Sequence, residues 1–250
     1  MAIQTSYYME PLDGNDIPGR FLEAFAAILA HSSYGPALDA ACRVSTRCGR
    51  CASTCPVYQA SGDARDIPCT RSELLLKVYR RYFTPGGALQ ARFGRGFALD
   101  EAYINTMAEE FYRCTACRRC KMECPMGIDH GMITHLGRWI LGEIDIVPKA
   151  LRVSVREQLE GKSRNTSAIP APAMADTVEF LEEDCADTYG MKIKFPIDQE
   201  EAEYAFFPAV SDYLLEPDTL MGNAAVMTAT NGSWTIGTQN FDGINYGLFY

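Results

Sequence analysis

Nine of the ten cysteines lie between residues 42 and 124, in two short runs and one isolated position. The first run reads "CRVSTRCGRCASTCP" (42–56), and the second run reads "CTACRRCKMECP" (114–125). Each run packs several cysteines closely and ends in Cys-Pro. Thiols crowded in this way, in a chain without an export signal, are typical of metal ligands rather than disulfides. The chain is therefore predicted to fold around metal sites.

The spacing of the second run indicates the kind of metal site. It is Cys114-x2-Cys117-x2-Cys120-x3-Cys124, followed by Pro125. This is the spacing of [4Fe–4S] ferredoxin runs, in which the fourth cysteine ligates the other cluster of a pair. Two intervening residues let successive sulfurs converge on one cube, whereas the proline ends the turn and directs the last cysteine away. A second cluster and a partner run are therefore expected.

The first run supplies this partner, so the two runs are expected to form an internal repeat with pseudo-two-fold symmetry. If each fourth cysteine crosses over, the two clusters exchange one ligand. The predicted ligands of cluster 2 are Cys55, Cys114, Cys117 and Cys120. The predicted ligands of cluster 1 are Cys48, Cys51, Cys124 and one further group.

The further ligand of cluster 1 is open because strict spacing places Ser45 where the leading cysteine should stand. Cys42 can ligate across a three-residue insertion, Ser45 or water can ligate, or the site can hold a [3Fe–4S] cluster. Cys42 is the preferred ligand, since its thiol is otherwise unexplained six residues from Cys48. Cys69 and Cys185 are expected to be buried, inert thiols.

Zinc is the alternative occupant, because paired Cys-x2-Cys units also form structural zinc sites. The third cysteine of each run and its Cys-Pro ending favour iron–sulfur clusters. Four basic residues surround the second run, namely Arg113, Arg118, Arg119 and Lys121. They either raise the reduction potential of a cluster or form a solvated or docking face.

Composition excludes several classes of protein. The chain has 250 residues, 47% of them hydrophobic, and a formal net charge of -9. This predicts a folded protein and argues against a nucleic-acid binder. The sequence shows no signal peptide and no apolar run of the ~20 residues that a membrane helix needs. A cytoplasmic location, at most peripheral on the inner face of the membrane, is therefore expected. His130 and His135, five residues apart, are expected to be structural.

Helical patterns frame both runs. Four helix starts are predicted from capping residues: Asp16 with Pro18, the capping box Thr70–Glu73, Asp100, and Asp129. A helix over about 149–160, a linker over 162–173 and a helix ending at Gly190 follow. From residue 203 onward, "YAFFPA", "EPDTLMGNAAVMTAT" and "SWTIGT" predict a strand, a helix and a strand, which open an α/β unit.

The chain resembles the heterodisulfide reductase C/D-like group of iron–sulfur subunits. That group includes the K subunit of the sulfite-reduction-linked membrane complex and the iron–sulfur subunits of the high-molecular-weight and tetrahaem cytochrome complexes. The resemblance covers roughly residues 36–250. It rests on "RCGRCASTCPVYQASGDARDIPCTRSELLLKVYRRYFT", "FYRCTACRRCKMECPMGID", "FFPAVSDYLLEPDTLMG" and "SWTIGTQNFDGINYGLFY".

This resemblance implies a mainly α fold in four segments. These are an N-terminal helical segment (1–35), an α-helical ferredoxin domain with two [4Fe–4S] clusters (36–161), a linker and helix (162–202), and the start of a small α/β unit (203–250). In that group the last unit is a CCG domain, whose Cys-Cys-Gly sequences bind the cluster that cleaves disulfides. Here no cysteine follows Cys185, so a cysteine-free, CCG-like unit is expected, and the natural polypeptide is expected to continue.

The function implied by the resemblance is electron transfer. The chain would relay single electrons through its two clusters, as a component of a membrane-associated anaerobic respiratory complex. The implied partners are a membrane quinone or cytochrome subunit and a thiol/disulfide or small-carrier acceptor, without nucleic acid. The alternative is a truncated catalytic subunit of a disulfide reductase whose CCG site lies beyond residue 250. No catalytic residue is predicted within the chain.

Overall fold

Helices dominate the chain, and the predicted mainly α class is confirmed. The computed structural model describes residues 16–94, 96–238 and 242–244. These residues divide into two units, with the boundary after Lys149. The first unit contains both cysteine runs.

The first unit is built on α4 and α8, which pack against each other, with α1, α2 and α6 around them. Its helices are α1 (Ile17–Ala30), α2 (Tyr34–Val44), α3 (Pro56–Ser61), α4 (Pro68–Tyr82), α5 (Pro85–Arg92), α6 (Glu101–Tyr112), α7 (Arg119–Glu123) and α8 (His130–Glu143). Short 3₁₀ helices cover Arg50–Thr54 and Ala64–Asp66. Large side chains such as Phe21, Leu75 and Phe111 are fully buried in the core. This core holds the helix ends that carry the cysteines.

Three of the four predicted helix starts are confirmed. Asp16, Asp100 and Asp129 each accept a hydrogen bond from the amide three residues on, at 2.8 to 2.9 Å. The Thr70–Glu73 capping box is wrong, because α4 already begins at Pro68. Proline at the first helical position has its φ preset and needs no partner for an amide, so it starts the helix two residues earlier. Glu73 pairs with Arg80 instead.

The second unit contains α9 (Lys149–Glu160), which starts at the boundary, α10 (Ala171–Tyr189) and α11 (Pro217–Ala229). Its strands, β1 (Tyr204–Ala205) and β2 (Trp234–Thr235), are parallel, with Tyr204 opposite Trp234. The strand–helix–strand order follows the sequence pattern, although each strand is only two residues long. In the part of the chain that the structure describes, no helix combines the length and apolar character needed to cross a membrane.

Gly137 allows α8 to approach α6 closely. A Cβ at this position would lie 2.1 Å from Phe111 Cε2, inside the core. We therefore expect Gly137→Ala to lower the free energy of unfolding by about 1–3 kcal/mol through overpacking, as measured by denaturant unfolding under anaerobic conditions. Gly35→Ala in α2 is the matched control, since a Cβ there meets no described atom within 4 Å. An equal loss in both variants would contradict this packing.

Candidate metal centres

The two cysteine runs fold in the same way. Gly49 and Arg118 adopt left-handed backbone angles, with φ of 75° and 56°. Two residues earlier, Arg47 and Ala116 are also left-handed, with φ of 52° and 55°. A short helix follows each left-handed residue, the 3₁₀ helix Arg50–Thr54 in the first run and α7 in the second. The two runs therefore repeat one backbone conformation.

Both short helices end on the cysteine of a Cys-Pro pair. Cys55 and Cys124 are extended, with φ/ψ of -80°/112° and -73°/116°. The pyrrolidine of the next residue disfavours a helical conformation at each cysteine. The last thiol of each run is therefore directed away from the loop that carries the others.

The first cavity is lined by cysteines from three parts of the chain. Cys48 and Cys51 come from the first run, Cys124 comes from the second run, and Cys69 comes from the start of α4. Ser45 also lines this cavity. The structure thus brings together three of the four residues predicted for cluster 1.

The predicted fourth ligand, Cys42, lies in another environment. It belongs to α2 and is not among the described residues that line the first cavity. Its thiol accepts a hydrogen bond from Arg80 Nη1 at 3.8 Å, and its side chain packs against the main core of the unit. Because α2 continues to Val44, the helix holds Cys42 apart from the loop of the first run.

The second cavity brings together all four residues predicted for cluster 2. These residues are Cys55, Cys114, Cys117 and Cys120. The amide of Ala116 donates to the sulfur of Cys114 at 3.4 Å, an interaction that stabilises a thiolate. Each cavity contains one exposed cysteine, at the equivalent positions Cys48 and Cys117.

A buried ion cluster supports the second cavity. Asp66 is fully buried, and its carboxylate accepts from Arg71 Nη2 at 3.3 Å and from Arg113. Arg71, which lines the cavity, is 1% exposed, and its Nε finds no hydrogen-bond partner among the described residues. An unsatisfied buried donor costs about 1–3 kcal/mol. The second cavity therefore fits an anionic occupant with acceptor atoms, such as a thiolate-ligated iron–sulfur cluster.

Arg138 positions the start of the second run. Its guanidinium, on α8, donates from Nε and Nη2 to the carbonyl oxygen of Phe111 at 3.0 and 2.6 Å. It also donates to the carbonyl oxygen of Cys114. Phe111 lies in the last turn of α6, and Cys114 follows the end of that helix, where carbonyls lack the donors of a further helical turn. Arg138 therefore fixes the point at which the chain leaves α6 and enters the second cavity.

Burial changes the protonation of two groups at the cavities. It raises the pKa of the Cys120 thiol to about 11, so metal binding at this residue must release a proton. It lowers the pKa of His130 to about 4, so the imidazole is neutral at pH 7. His130 lines both cavities, and its Nδ1 lies 3.0 Å from Ser72 Oγ. A neutral ring is therefore shared by the two sites.

The basic residues around the second run are largely paired. Arg118 and Lys121 both contact Asp129, the cap of α8, with Lys121 Nζ at 3.5 Å from its carboxylate. Arg50 Nε donates to Glu123 Oε1 at 2.8 Å and joins the two runs across their short helices. The basic partner of each pair is exposed, so the main effect of these pairs is on the orientation of the loops rather than on stability.

No site for a single metal ion, built from three or more His, Cys, Asp or Glu side chains, occurs in residues 16–94, 96–238 and 242–244. Three residues at the cavities were not predicted from the sequence. Cys69 lines the first cavity, and Asp66 and Arg71 form the buried ion cluster that supports the second. A signal for Cys69 was present, because the first run lacks a leading cysteine and Cys69 is a spare one.

Comparison with known proteins first defines a class. Residues 45–128, which span both runs, match the model of the family described as the 4Fe-4S dicluster domain. The match covers all the cysteines that line the two cavities. This match to a 4Fe-4S dicluster domain supports the expectation of [4Fe–4S] clusters in the first unit.

Three relatives show which proteins the chain resembles in sequence. The chain is 27% identical over 213 residues to the Hdr-like menaquinol oxidoreductase iron–sulfur subunit 2 of Archaeoglobus fulgidus, an alignment that covers 83% of this chain and 38% of that protein. The corresponding protein of Archaeoglobus profundus gives the same identity and coverage. The D subunit of the dihydromethanophenazine:CoB–CoM heterodisulfide reductase of Methanosarcina acetivorans is 29% identical over 84 residues, 34% of this chain and 20% of that protein.

These relatives and the dicluster match support an Hdr-like iron–sulfur family for the chain, as its resemblance implies. The chain spans 38% of the length of the two Archaeoglobus relatives. No solved structure matches it.

Asp66 is expected to be the charge on which the second cavity depends. Asp66→Asn leaves two guanidinium groups without their anion, one of them fully buried, so we expect the free energy of unfolding to fall by about 3–5 kcal/mol. Denaturant unfolding measures this change. Asp63→Asn is the control, because Asp63 pairs with the exposed Arg65 nearby, and little change is expected. A small effect of Asp66→Asn, equal to that of the control, would show that the ion cluster is not structural.

Proposed function

We propose that the first unit is an α-helical ferredoxin domain that holds two [4Fe–4S] clusters and passes single electrons within a larger redox complex. The observation that carries this proposal is the pair of cavities, each lined by four cysteines from separated parts of the chain. When bound, clusters of this type accept and release single electrons at potentials set by charge, hydrogen bonds and solvent exposure.

The chain's own residues fit this role. Cys55, Cys114, Cys117 and Cys120 would ligate at the second cavity, and Arg71 Nε would donate to the acceptor atoms of the occupant. Cys48, Cys51 and Cys124 would ligate at the first cavity, together with a fourth group. Two of the four lining cysteines are buried at each cavity, Cys51 and Cys69 at the first and Cys55 and Cys120 at the second, so part of each site is shielded from water.

Access to a redox partner is supported by one exposed thiol at each cavity. Cys48 and Cys117 are exposed, whereas Cys51 and Cys120, their neighbours in the same runs, are buried. Each site therefore has a protected side and a side that reaches the surface. This arrangement suits a relay, which must receive an electron from one protein and deliver it to another.

The proposed setting is a membrane-associated anaerobic respiratory complex. The Archaeoglobus relatives are named as subunits of menaquinol oxidoreductases, which supports association of this chain with other redox subunits. We propose a membrane quinone or cytochrome subunit as one partner, a thiol/disulfide site or small carrier as the other, and a peripheral location on the inner face of the membrane.

A second candidate is favoured by the similarity to the D subunit of a heterodisulfide reductase. The chain would then be part of a catalytic subunit, and residues 203–250 would begin a CCG-like unit. The parallel β1–α11–β2 arrangement supports such an α/β unit. The 250 residues contain no Cys-Cys-Gly sequence, so this candidate places the disulfide site outside them.

Anaerobic reconstitution with iron and sulfide tests the proposal. We expect a brown protein with about eight irons and eight sulfides per chain, which takes up about two electrons in a reductive titration. The reduced chain is expected to transfer these electrons to a one-electron acceptor without cleaving a disulfide. About seven irons would indicate a three-iron cluster in the first cavity. A colourless protein that binds zinc but no iron would contradict the proposal.

The exchange of ligands between the runs is tested by single substitutions followed by electron paramagnetic resonance (EPR). Cys48→Ala and Cys117→Ala first assign one signal to each cavity, since these cysteines lie in different loops. We then expect Cys55→Ala to leave the same signal as Cys117→Ala, and Cys124→Ala to leave the same signal as Cys48→Ala. The opposite pairing would show that each run serves a single cluster.

A further inference from the structure

The first run contributes fewer cysteines to its cavity than the second run does. Cys114 leads the second run and lines the second cavity, whereas the equivalent residue of the first run is Ser45. With Cys124 from the other run, the first cavity receives three cysteines from the two runs. A [4Fe–4S] cluster is ordinarily held by four thiolates, so the proposed function leaves one ligand unassigned.

Cys69 is the remaining cysteine at this cavity. It is the second residue of α4, it lines the cavity beside Cys48, Cys51 and Cys124, and it is 6% exposed. It lies beside Cys51 in the same cavity lining. The two side chains belong to a small buried cluster that also includes Cys120. The second cavity already has four cysteines, and Cys69 is not among the described residues that line it.

The two alternatives fit the first cavity less well. The thiol of Cys42 accepts a hydrogen bond from Arg80, its side chain packs against the core of the unit, and it is not among the described residues that line the cavity. Ser45 does line the cavity, but its hydroxyl is a hard oxygen ligand. Thiolates are the softer ligands and are the ones that hold iron–sulfur clusters.

We propose that Cys69 is the fourth thiolate ligand of the cluster in the first cavity, an inference that rests on the proposed function. On ligation the Cys69 thiol releases its proton to solvent and its sulfur donates an electron pair to iron, so no oxidant or reductant is required. Pro68 fixes the start of α4 and hence the position of Cys69. The positive end of the helix also favours a negatively charged sulfur.

The test uses the full chain, reconstituted anaerobically with iron and sulfide. We expect Cys69→Ala to lose the EPR signal of the first cavity or to convert it to a three-iron signal, with about one to four irons lost per chain. The signal of the second cavity is expected to remain and shows that the variant is folded. Cys42→Ala is the matched control, because it removes another thiol from the same unit, and it is expected to keep both signals and the full iron content.

Two results would overturn the assignment. One is a Cys69→Ala chain with both signals and the full iron content. The other is loss of the first signal in Cys42→Ala or Ser45→Ala while Cys69→Ala retains it. Both results apply only when the wild-type chain itself binds two clusters. A wild-type chain without iron would defeat the proposed function instead, so the two failures are distinguishable.

Cys69→Ser covers the case in which the alanine variant loses both signals. A serine oxygen can occupy the ligand position, but it changes the electronic environment of the iron atom that it binds. We therefore expect the first signal to shift in its g values while the second stays as in the wild type. Two unchanged signals in Cys69→Ser, or loss of both signals in the serine and alanine variants alike, would overturn the assignment.

Discussion

The structure of the first unit depends on one constraint, which is that each cysteine run places its last cysteine in the cavity of the other run. Cys55 lines the cavity of the second run, and Cys124 lines the cavity of the first. Bringing together segments about 70 residues apart costs on the order of 4 kcal/mol in chain entropy. The packed core of α1, α2, α4, α6 and α8 offsets that cost. A bound metal group would stabilise the folded unit further, because ligand binding that occurs only in the folded state stabilises that state.

Burial of the charged groups that support the second cavity costs free energy, and it is unfavourable unless these groups hold the site together. Asp66 and Arg71 are almost fully buried, and buried ion pairs often contribute little net stability. Here they connect elements that must stay in register, since Asp66 precedes α4 and Arg113 immediately precedes the second run. Arg138 performs a similar task from α8. The ion cluster is thus better explained by positioning of the cysteines than by a gain in stability.

Much of this arrangement follows from local sequence. Asp16, Asp100 and Asp129 mark helix starts because a short carboxylate satisfies an amide of the first turn, whatever the rest of the chain does. The repeat of the two runs follows from their spacing and their Cys-Pro endings. The predicted start of α4 is wrong because two local signals compete, and Pro68 acts before Thr70. The position of Cys69 is not predictable from spacing, since tertiary packing of α4, rather than the run itself, brings its thiol to the first cavity.

The start of α4 is the element that links the two cavities. Cys69 lines the first cavity and Arg71 lines the second, only two residues further along the same helical turn. Ser72 then contacts His130, the first residue of α8, whose ring lines both cavities. The positive ends of two packed helices therefore meet between the sites, where they favour negatively charged occupants. Because one turn of α4 contributes to both sites, a displacement of this turn would alter both cavities together.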